Sequence, residues 1–557
     1  MYCWEAILRA LAAENVEYVF GLPGADAFYD FLGDRPEIQP ILVREESSGA
    51  FMAMGYARAS GKVGVCYASA GPGVANLIPG ILEAHSACLP VIALGGASSQ
   101  ENAGMGAFQE ADQISWMRPI TKWWERISAP ERVPWVMNRA FFLARTGKPG
   151  PIYIEIPKDI GTRRGKVPEY RPALTPPRWS ADPKALEGAA ALLIEAKQPV
   201  LVAGGGALSA GAFEELKELA ELLSTPVLTT PCGRGIIAED HPLAFGQVGL
   251  YFNPLGEKIY GKADLLLTIG SRNEDFQSGR QGFFPPGAKY LQIDIDPFEI
   301  GRNWIPEVAM VGDAKLILAD LVARVKADLK GEKRGEERMA KLLEAKTEYE
   351  AQVRRECHDD SVPLKTKRIV RELNEVFGKG TLLVQENGSQ DLWSYYSPYY
   401  KVFDGDRCVA PGEQTCMGMA VAAAIGAKLA RPEKKVVCTT GDGAFQMFMK
   451  ELPTAVQYRA PVTYVVLNNF SLGWTRFSQN KRKGRSIATE FTAQPDFVKV
   501  AQACQCHGER IESPGGIRPA LERARRANEE GKTAVLEFIV DGRDFAPGFH
   551  RFYERLG

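Results

Sequence analysis

Gly441-Asp442-Gly443, followed after 24 residues by Asn468-Asn469, is the part of this chain best equipped for chemistry. A β-like run, Lys435 to Thr440, precedes it, and a second run, Val462 to Leu467, ends at the asparagines. Phe445 to Tyr458 carries helical spacing, so the unit reads strand, turn, helix, strand. Such a turn lies at the C-terminal edge of a parallel sheet, where backbone N–H groups and a helix N-terminus face a phosphate. Asp442 brings a hard oxygen to that edge and Asn469 a second. Two oxygens beside a phosphate describe Mg²⁺, which takes few protein ligands and completes its shell with phosphate oxygens and water. The other reactive stretch is Ile41 to Arg58, which sets Glu45 and Glu46 between a strand end and a helix of small residues.

The elements that must position these groups are spread over 557 residues, enough for about three domains. Short apolar runs at Val16–Phe20, Gly64–Tyr67, Val91–Leu94 and Ile152–Ile156 read as buried parallel strands of a first α/β domain, residues 1–162. Residues 163–183, rich in Pro and charge, read as a linker. Residues 184–325 form a central domain with strands near Val200, Leu265 and Tyr290; 326–361 read as a charged, solvated connector. Residues 362–540 form the third domain and 541–557 a tail. The predicted fold is three doubly wound parallel-sheet α/β domains.

Bulk chemistry excludes several classes. Lys plus Arg is 67 against 68 Asp plus Glu, which gives no reason to expect nucleic acid or an anionic membrane as partner. No apolar run approaches membrane-spanning length, and the first residues do not read as a signal peptide. Ten cysteines lack CxxC pairs; Cys504-Gln505-Cys506-His507 is the nearest to a metal cluster but has no second pair. Reduced thiols and a cytoplasmic location are expected. Gly55 to Lys62 fails as a P-loop, because the glycine spacing is one too long and Val63 stands where Ser or Thr must meet Mg²⁺.

Taken together, the GDG/NN segment, Gly21-Leu-Pro-Gly24, Glu46 with Gly55-Tyr-Ala-Arg58, Ser69 to Asn76, Ala107-Phe-Gln-Glu110, Ile156-Pro-Lys-Asp159 and Ile293 to Pro297 resemble the acetolactate synthase group of thiamine diphosphate (ThDP) enzymes. The resemblance covers nearly the whole chain. It implies pyrimidine-binding, central and diphosphate-binding domains, with ThDP and Mg²⁺ as cofactors. It places the catalytic glutamate on Glu46, whose carboxylate favours the reactive tautomer of the aminopyrimidine, and leaves Glu45 as a surface or helix-terminal charge. It sets Pro72 and Asn76 beside the aminopyrimidine, Gln109 at the thiazolium, and Phe108 and Lys158 at the substrate entrance, with a surface role open for Lys158. Met417 resembles the residue over which the cofactor bends. Asn387, Gly388, Ser389, Gln390, Gly441, Gly443, Ala444 and Gly473 are expected at the diphosphate; Asp442, Asn469 and a backbone carbonyl of Ser471 are expected on Mg²⁺. The implied active unit is a homodimer or homotetramer with interface sites; a regulatory subunit is left open.

Two departures bear on activity. Trp474 stands where the family has Met, and Ser478 where it has a Trp that selects the acceptor. In the central domain, Gly204, Gly205, Gly206, Arg272, Asp294 and Ile295 resemble FAD-binding positions, but Asn273-Glu-Asp-Phe276 differs from the family's sequence. FAD therefore stays open, and Arg272 has a substrate carboxylate as its alternative. The function expected is decarboxylation of a 2-oxo acid, by default pyruvate, with transfer of the enamine to a second carbonyl. The alternative is a decarboxylase, C–C lyase or acyltransferase acting on another 2-oxo acid, aldehyde or dione. A catalytically silent ThDP-binding protein is disfavoured by the intact Glu46, Asp442 and Asn469. His85 reads as structural or as reaching the interface site. The aromatic tail from Phe545 reads either as a lid over the site or as packed elsewhere.

Overall fold

The computed structural model of the chain describes residues 1–24, 26–279, 281–403 and 407–554. Eighteen strands form three six-stranded sheets, every ladder parallel. The first holds β1 (Tyr18–Gly21), β2 (Gln39–Leu42), β3 (Gly64–Ala68), β4 (Val91–Ala97), β5 (Trp123–Arg126) and β6 (Ile152–Pro157) in the order β2-β1-β3-β4-β6-β5. The second holds β7 (Pro199–Ala203), β8 (Val227–Thr229), β9 (Ala244–Gln247), β10 (Leu265–Ile269), β11 (Lys289–Asp294) and β12 (Val308–Val311), ordered β12-β11-β10-β7-β8-β9. The third holds β13 (Thr381–Gln385), β14 (Cys408–Val409), β15 (Lys435–Gly441), β16 (Thr463–Asn468), β17 (His507–Ile511) and β18 (Ala534–Ile539), ordered β14-β13-β15-β16-β18-β17.

The first and third sheets thus share one topology, and the second has the order of a doubly wound dinucleotide fold. Parallel sheets need helices on both faces, so their strands are buried along their length, as Leu265–Ile269 and Ile152–Pro157 are. Ligands of such sheets bind beyond the strand C-termini where the winding reverses. Those points lie between β1 and β3, between β7 and β10, and between β13 and β15. The GDG turn ends β15, and the residues from Asn387 follow β13, so both border the third reversal.

The first and third sheets meet through one helix crossing. Helix Glu46–Ser60 packs on helix Met419–Ala430, and their side chains belong to one continuous core. Small residues bring the backbones together: a Cβ on Gly55 would overlap Ala423, and one on Gly426 would overlap the Met52 carbonyl. Neither site can absorb added volume without separating the two helices. Gly55→Val should therefore cost about 3 kcal/mol or more, read as a clear loss of melting temperature; a variant melting like the parent would contradict this contact.

Two expectations need correction. The segment from Phe445 to Tyr458 is not one helix: it is helix Asp442–Phe448, a tight turn at Met449–Glu451, then helix Leu452–Gln457. Pro453 has no N–H for a helical bond to the preceding turn, which breaks the run. The 326–361 connector is not wholly solvated either, since helix Glu336–Glu356 buries Met339 and Val353. No helix among the described residues is long and apolar enough to cross a membrane.

Candidate active site

The first group of candidate residues stands at the C-terminal edge of the first sheet. Glu46 opens the helix after β2 and is buried, with its Oε2 accepting a 2.9 Å hydrogen bond from Asn76 Nδ2. Asn76 comes from helix Pro72–Ser86, which follows β3 and starts on Pro72, a residue that needs no N–H at that position. Gly73 leaves space beside the carboxylate, because a Cβ there would lie 3.2 Å from Glu46 Oε1. Gln109 has φ of 60° and lies over Gly71, whose own φ is 65°. Glu45 differs from Glu46: it is the N-cap residue, accepting from Ser47 N at 3.0 Å, with Lys450 Nζ 3.6 Å away. Lys158 follows β6 and is exposed, and Phe108 is 80% exposed.

The second group stands on the third sheet. Gly441 is the N-cap of helix Asp442–Phe448, so Asp442, Gly443 and Ala444 make its first turn with amides free of helical partners. Asp442 is 2% exposed and has no cation paired with it among the described residues. Burial pushes its carboxyl up to about 6, opposed by a hydrogen bond from Gln494 and by backbone N–H groups. Asn469 Oδ1 accepts from Ser471 N at 3.0 Å and Ser471 Oγ at 3.1 Å, folding the chain after β16 into a tight turn. Gly473 is required next, since a Cβ there would collide with Ser389 Oγ and come within 2.8 Å of Asn469 Nδ2. The Asn387–Gln390 loop is therefore in contact with the turn that carries Asn469, Ser471 and Gly473.

Gln390 is buried with its Nε2 lacking an acceptor, while Asp442 is buried without a counter-charge. One group lacks an acceptor and the other a cation, and a metal diphosphate can supply both. Three further carboxyls were not anticipated. Glu386, at the end of β13, accepts from Ala420 N at 2.8 Å, and burial followed by the nearby Asp391 pushes it up to about 8. Asp391, buried under the loop, is pushed up to about 7 by burial despite the Gly388 and Gly441 amides pointing toward it. Glu83, on helix Pro72–Ser86, accepts from Gly412 N and, at 2.8 Å, Cys416 N, so it fixes the segment that presents Met417. A glutamate in an otherwise apolar helix (Leu77, Ile81, Glu83, Ala84) was the available signal for it.

Among the described residues no hydrogen bond or ion pair joins Glu46, Asn76 or Gln109 to Asp442, Asn469 or Ser471. Each group is flanked by exposed apolar side chains, Met105 (77%) and Phe108 on one, Met417, Met447 and Phe470 on the other.

A cavity of about 550 Å³ lies where the three sheets' helical layers converge, at the winding reversal of the central sheet. Gly205, Gly206, Arg272, Asp294 and Ile295 line it. Gly204 does not; it packs against the Gly270–Ser271 backbone instead. Arg272 donates to the Ser86 carbonyl and pairs with Glu274 at 2.8 Å. Burial pushes Glu413, on the same wall, up to about 7 and Asp294 up to about 6. His85 lies on the last turn of its helix; burial first, then Arg272 and Lys148, lowers its pKa. Trp474 and Ser478 share one face of helix Gly473–Lys483, with the Trp474 ring against Phe276, Phe549 and Tyr553. All ten cysteines are unpaired, and no group of three or more His, Cys, Asp or Glu gathers as a metal cage among the described residues.

Comparison with known proteins follows this division of the chain. Residues 1–116 match the thiamine pyrophosphate enzyme N-terminal TPP binding domain, 186–321 the central domain, and 388–538 the C-terminal TPP binding domain. The chain is 37% identical over 555 residues to a probable acetolactate synthase large subunit of Methanococcus aeolicus, covering 96% of this chain and 92% of that one. It is 37% identical over 559 residues to the corresponding protein of Methanocaldococcus jannaschii, covering 98% and 92%. To the acetolactate synthase isozyme 3 large subunit of Escherichia coli it is 31% identical over 549 residues, covering 97% and 94%.

Proposed function

We propose, from the premise that this chain belongs to the thiamine pyrophosphate enzymes and is an enzyme of the acetolactate synthase kind, that it is a Mg²⁺-dependent cytoplasmic carboligase. It would decarboxylate a 2-oxo acid, pyruvate first, and join the retained unit to a second carbonyl. The observation that carries this reading is the buried Glu46 carboxylate held by Asn76, which is itself exposed together with Pro72 at the start of the same helix. A ThDP lyase or synthase needs a fixed carboxylate facing an open ligand surface.

ThDP, when bound, supplies the carbon that attacks the oxo group and holds the electrons left by CO₂. The chain's own residues bind it and handle protons. Glu46 keeps a proton-accepting carboxylate at the aminopyrimidine, with Pro72 and Asn76 fixing that ring. Asp442, Asn469 and Ser471 hold Mg²⁺, and the Asn387–Gln390 loop with Gly441, Gly443, Ala444 and Gly473 surrounds the diphosphate. Met417 supports the middle of the cofactor, and Gln109 faces the reacting centre. Phe108 and Lys158 guard the entrance, where the Lys158 cation attracts a 2-oxo acid's carboxylate. The lack of a hydrogen bond or ion pair between the two groups among the described residues, with exposed apolar residues around each, supports a homodimer, or a pair of dimers, in which one subunit's Glu46 meets another's Asp442.

Trp474 and Ser478 favour a second reading, a lyase, decarboxylase or acyltransferase acting on a different acid, aldehyde or dione, because both depart from the residue types the resemblance leads one to expect on the helix after the Mg²⁺ turn, where they face the tail. One assay separates the two. Purified protein with ThDP, Mg²⁺ and pyruvate should release CO₂ and form acetolactate in step. Acetaldehyde in place of acetolactate would establish a decarboxylase; neither product, with ThDP bound, would move the reading to the other substrates.

The central cavity suits a dinucleotide, FAD among them. Gly205 brings a backbone amide to the reversal point, while the Gly206 amide donates to the Gly270 carbonyl at 3.0 Å; Arg272 offers a cation, and Asp294 ends its strand where a ribose hydroxyl is usually held. Glu274, Asp275 and Arg272 face Glu413. With Asp294 pushed up to about 6 and Glu413 to about 7, both gain charge as pH rises from about 5.5 to about 8. Each ionisation adds negative charge to the cavity wall, so FAD affinity should fall by about tenfold over that range in calorimetric titration. A colourless protein that takes up no FAD at either pH would remove this part of the proposal.

A further inference from the structure

The C-terminal helix Pro547–Glu554 is docked too firmly to hinge as a lid. Ala546, Phe549 and Phe552 are buried. Gly548 N–H donates to the Tyr396 hydroxyl at 3.0 Å, and a Cβ on Gly548 would overlap the Leu250 carbonyl. Arg551 pairs with Glu257 and donates to the Phe252 carbonyl at 3.1 Å. These contacts tie the helix to the central-sheet domain and to the segment after β13. The last three residues, 555–557, lie outside the described residues.

The opposite side of the same helix holds helix Gly473–Lys483. Tyr553 Oη lies 2.6 Å from Ser478 Oγ, and Lys481 Nζ donates to the Tyr553 carbonyl at 2.7 Å. Phe549 sets its ring edge-on to Trp474 with centroids 4.9 Å apart, and Phe276 of the central domain closes on Trp474 at 5.9 Å. Trp474 and Ser478 are four residues apart and so present one face to the tail. The helix they belong to begins at Gly473, directly against Ser389 and Asn469. Its outer end carries Lys481, Arg482 and Lys483 and buries no residue of its own, so the helix depends on outside contacts for its place.

We propose that Tyr553 is a positioning residue: through Ser478 it locks helix Gly473–Lys483, and with it the turn of Asn469 and Ser471, against the Asn387–Gln390 loop. The tail is then a strut between the central domain and the cofactor turn. This rests on the reading of that turn as the Mg²⁺–diphosphate site.

The test uses the full-length protein and Mg²⁺–ThDP as the probe, titrated by calorimetry. Tyr553→Phe and Ser478→Ala should each weaken binding about fivefold, the size of one hydrogen bond's contribution. Both remove the Ser478–Tyr553 bond, and Ser478→Ala also loses the bond its hydroxyl donates to the Trp474 carbonyl at 3.0 Å, so the double variant should be no weaker than Ser478→Ala alone. Amide hydrogen exchange across 473–483 should rise in both variants before any cofactor is added. Tyr553→Ala, which also removes the ring, should weaken binding further while the far-ultraviolet dichroism stays unchanged. Unaltered binding and exchange in Tyr553→Phe, or losses that simply add in the double variant, would overturn the positioning role. A parent protein that binds no Mg²⁺–ThDP would instead overturn the reading beneath it, and the exchange measurement would still decide whether Tyr553 holds the helix.

Discussion

Glu46→Gln should lower turnover by about 10³-fold while Glu45→Gln leaves it within a factor of two or three. The two glutamates are chain neighbours, and their difference comes from one residue of helix geometry. Glu45 is the N-cap, with its side chain turned back on Ser47 N and toward Lys450. Glu46 is the first helical residue and turns into the protein, where Asn76 holds it. Glutamine at 46 has the same volume and can still accept from Asn76 through its amide oxygen. What it loses is the capacity to take a proton. The loss should therefore appear in kcat and in deuterium exchange at the acidic carbon of bound ThDP, with cofactor affinity little changed. At 45 glutamine can likewise still accept from Ser47 N, so what is lost is a negative charge at the helix N-terminus near Lys450, a few tenths of a kcal/mol to about 1 kcal/mol, seen as a small drop in melting temperature. Equal kinetic losses at both positions would show that the carboxylate at the cofactor has been wrongly assigned.

How much of this was legible in the sequence depends on distance along the chain. Strands such as Leu265–Ile269 and Lys435–Gly441 announced themselves because a parallel strand is buried on both faces and reads as one apolar run. β17, His507–Ile511, did not, because it is an edge strand with a largely polar sequence, HGERI. Local placement was legible too: the GDG turn, Glu46 and Asn76 each lie within a few residues of the strand end that presents them. Glu386 and Asp391 were hidden since only the fold shows that they sit beneath the loop of Asn387 with no water to solvate them. The Tyr553–Ser478 contact spans 75 residues and follows from no periodicity. The break in the helix after Phe448 was readable from Pro453, but the apolar spacing on either side of it dominated the reading. The shared winding of the first and third sheets was beyond reach, as strand order is set by packing between distant segments.

Asp442→Asn should move two quantities in opposite directions. Mg²⁺ affinity, measured by titration in the presence of ThDP, should fall by at least about 100-fold, since even groups that merely support a metal ligand are worth 10- to 100-fold. Asn469 and Ser471 supply only neutral oxygens, so Asp442 is the sole source of negative charge from the protein among these three groups. The metal-free protein should become no less stable, and its melting temperature should rise. The carboxylate is 2% exposed, and the described residues bring no cation to it, so the unliganded protein carries a desolvated charge that an amide of equal size would remove. Gln494 can still donate to the amide oxygen, which keeps that hydrogen bond, while the amide nitrogen gives up the acceptor that the other carboxylate oxygen offers to nearby backbone N–H groups and so offsets part of the gain. Sites that store such cost are the ones where function and stability trade against each other. A variant that loses stability without cofactor and keeps its Mg²⁺ affinity would mean that Asp442 is a structural acid satisfied by Gln494 and backbone N–H groups, and the metal would have to be sought elsewhere along the edge of the third sheet.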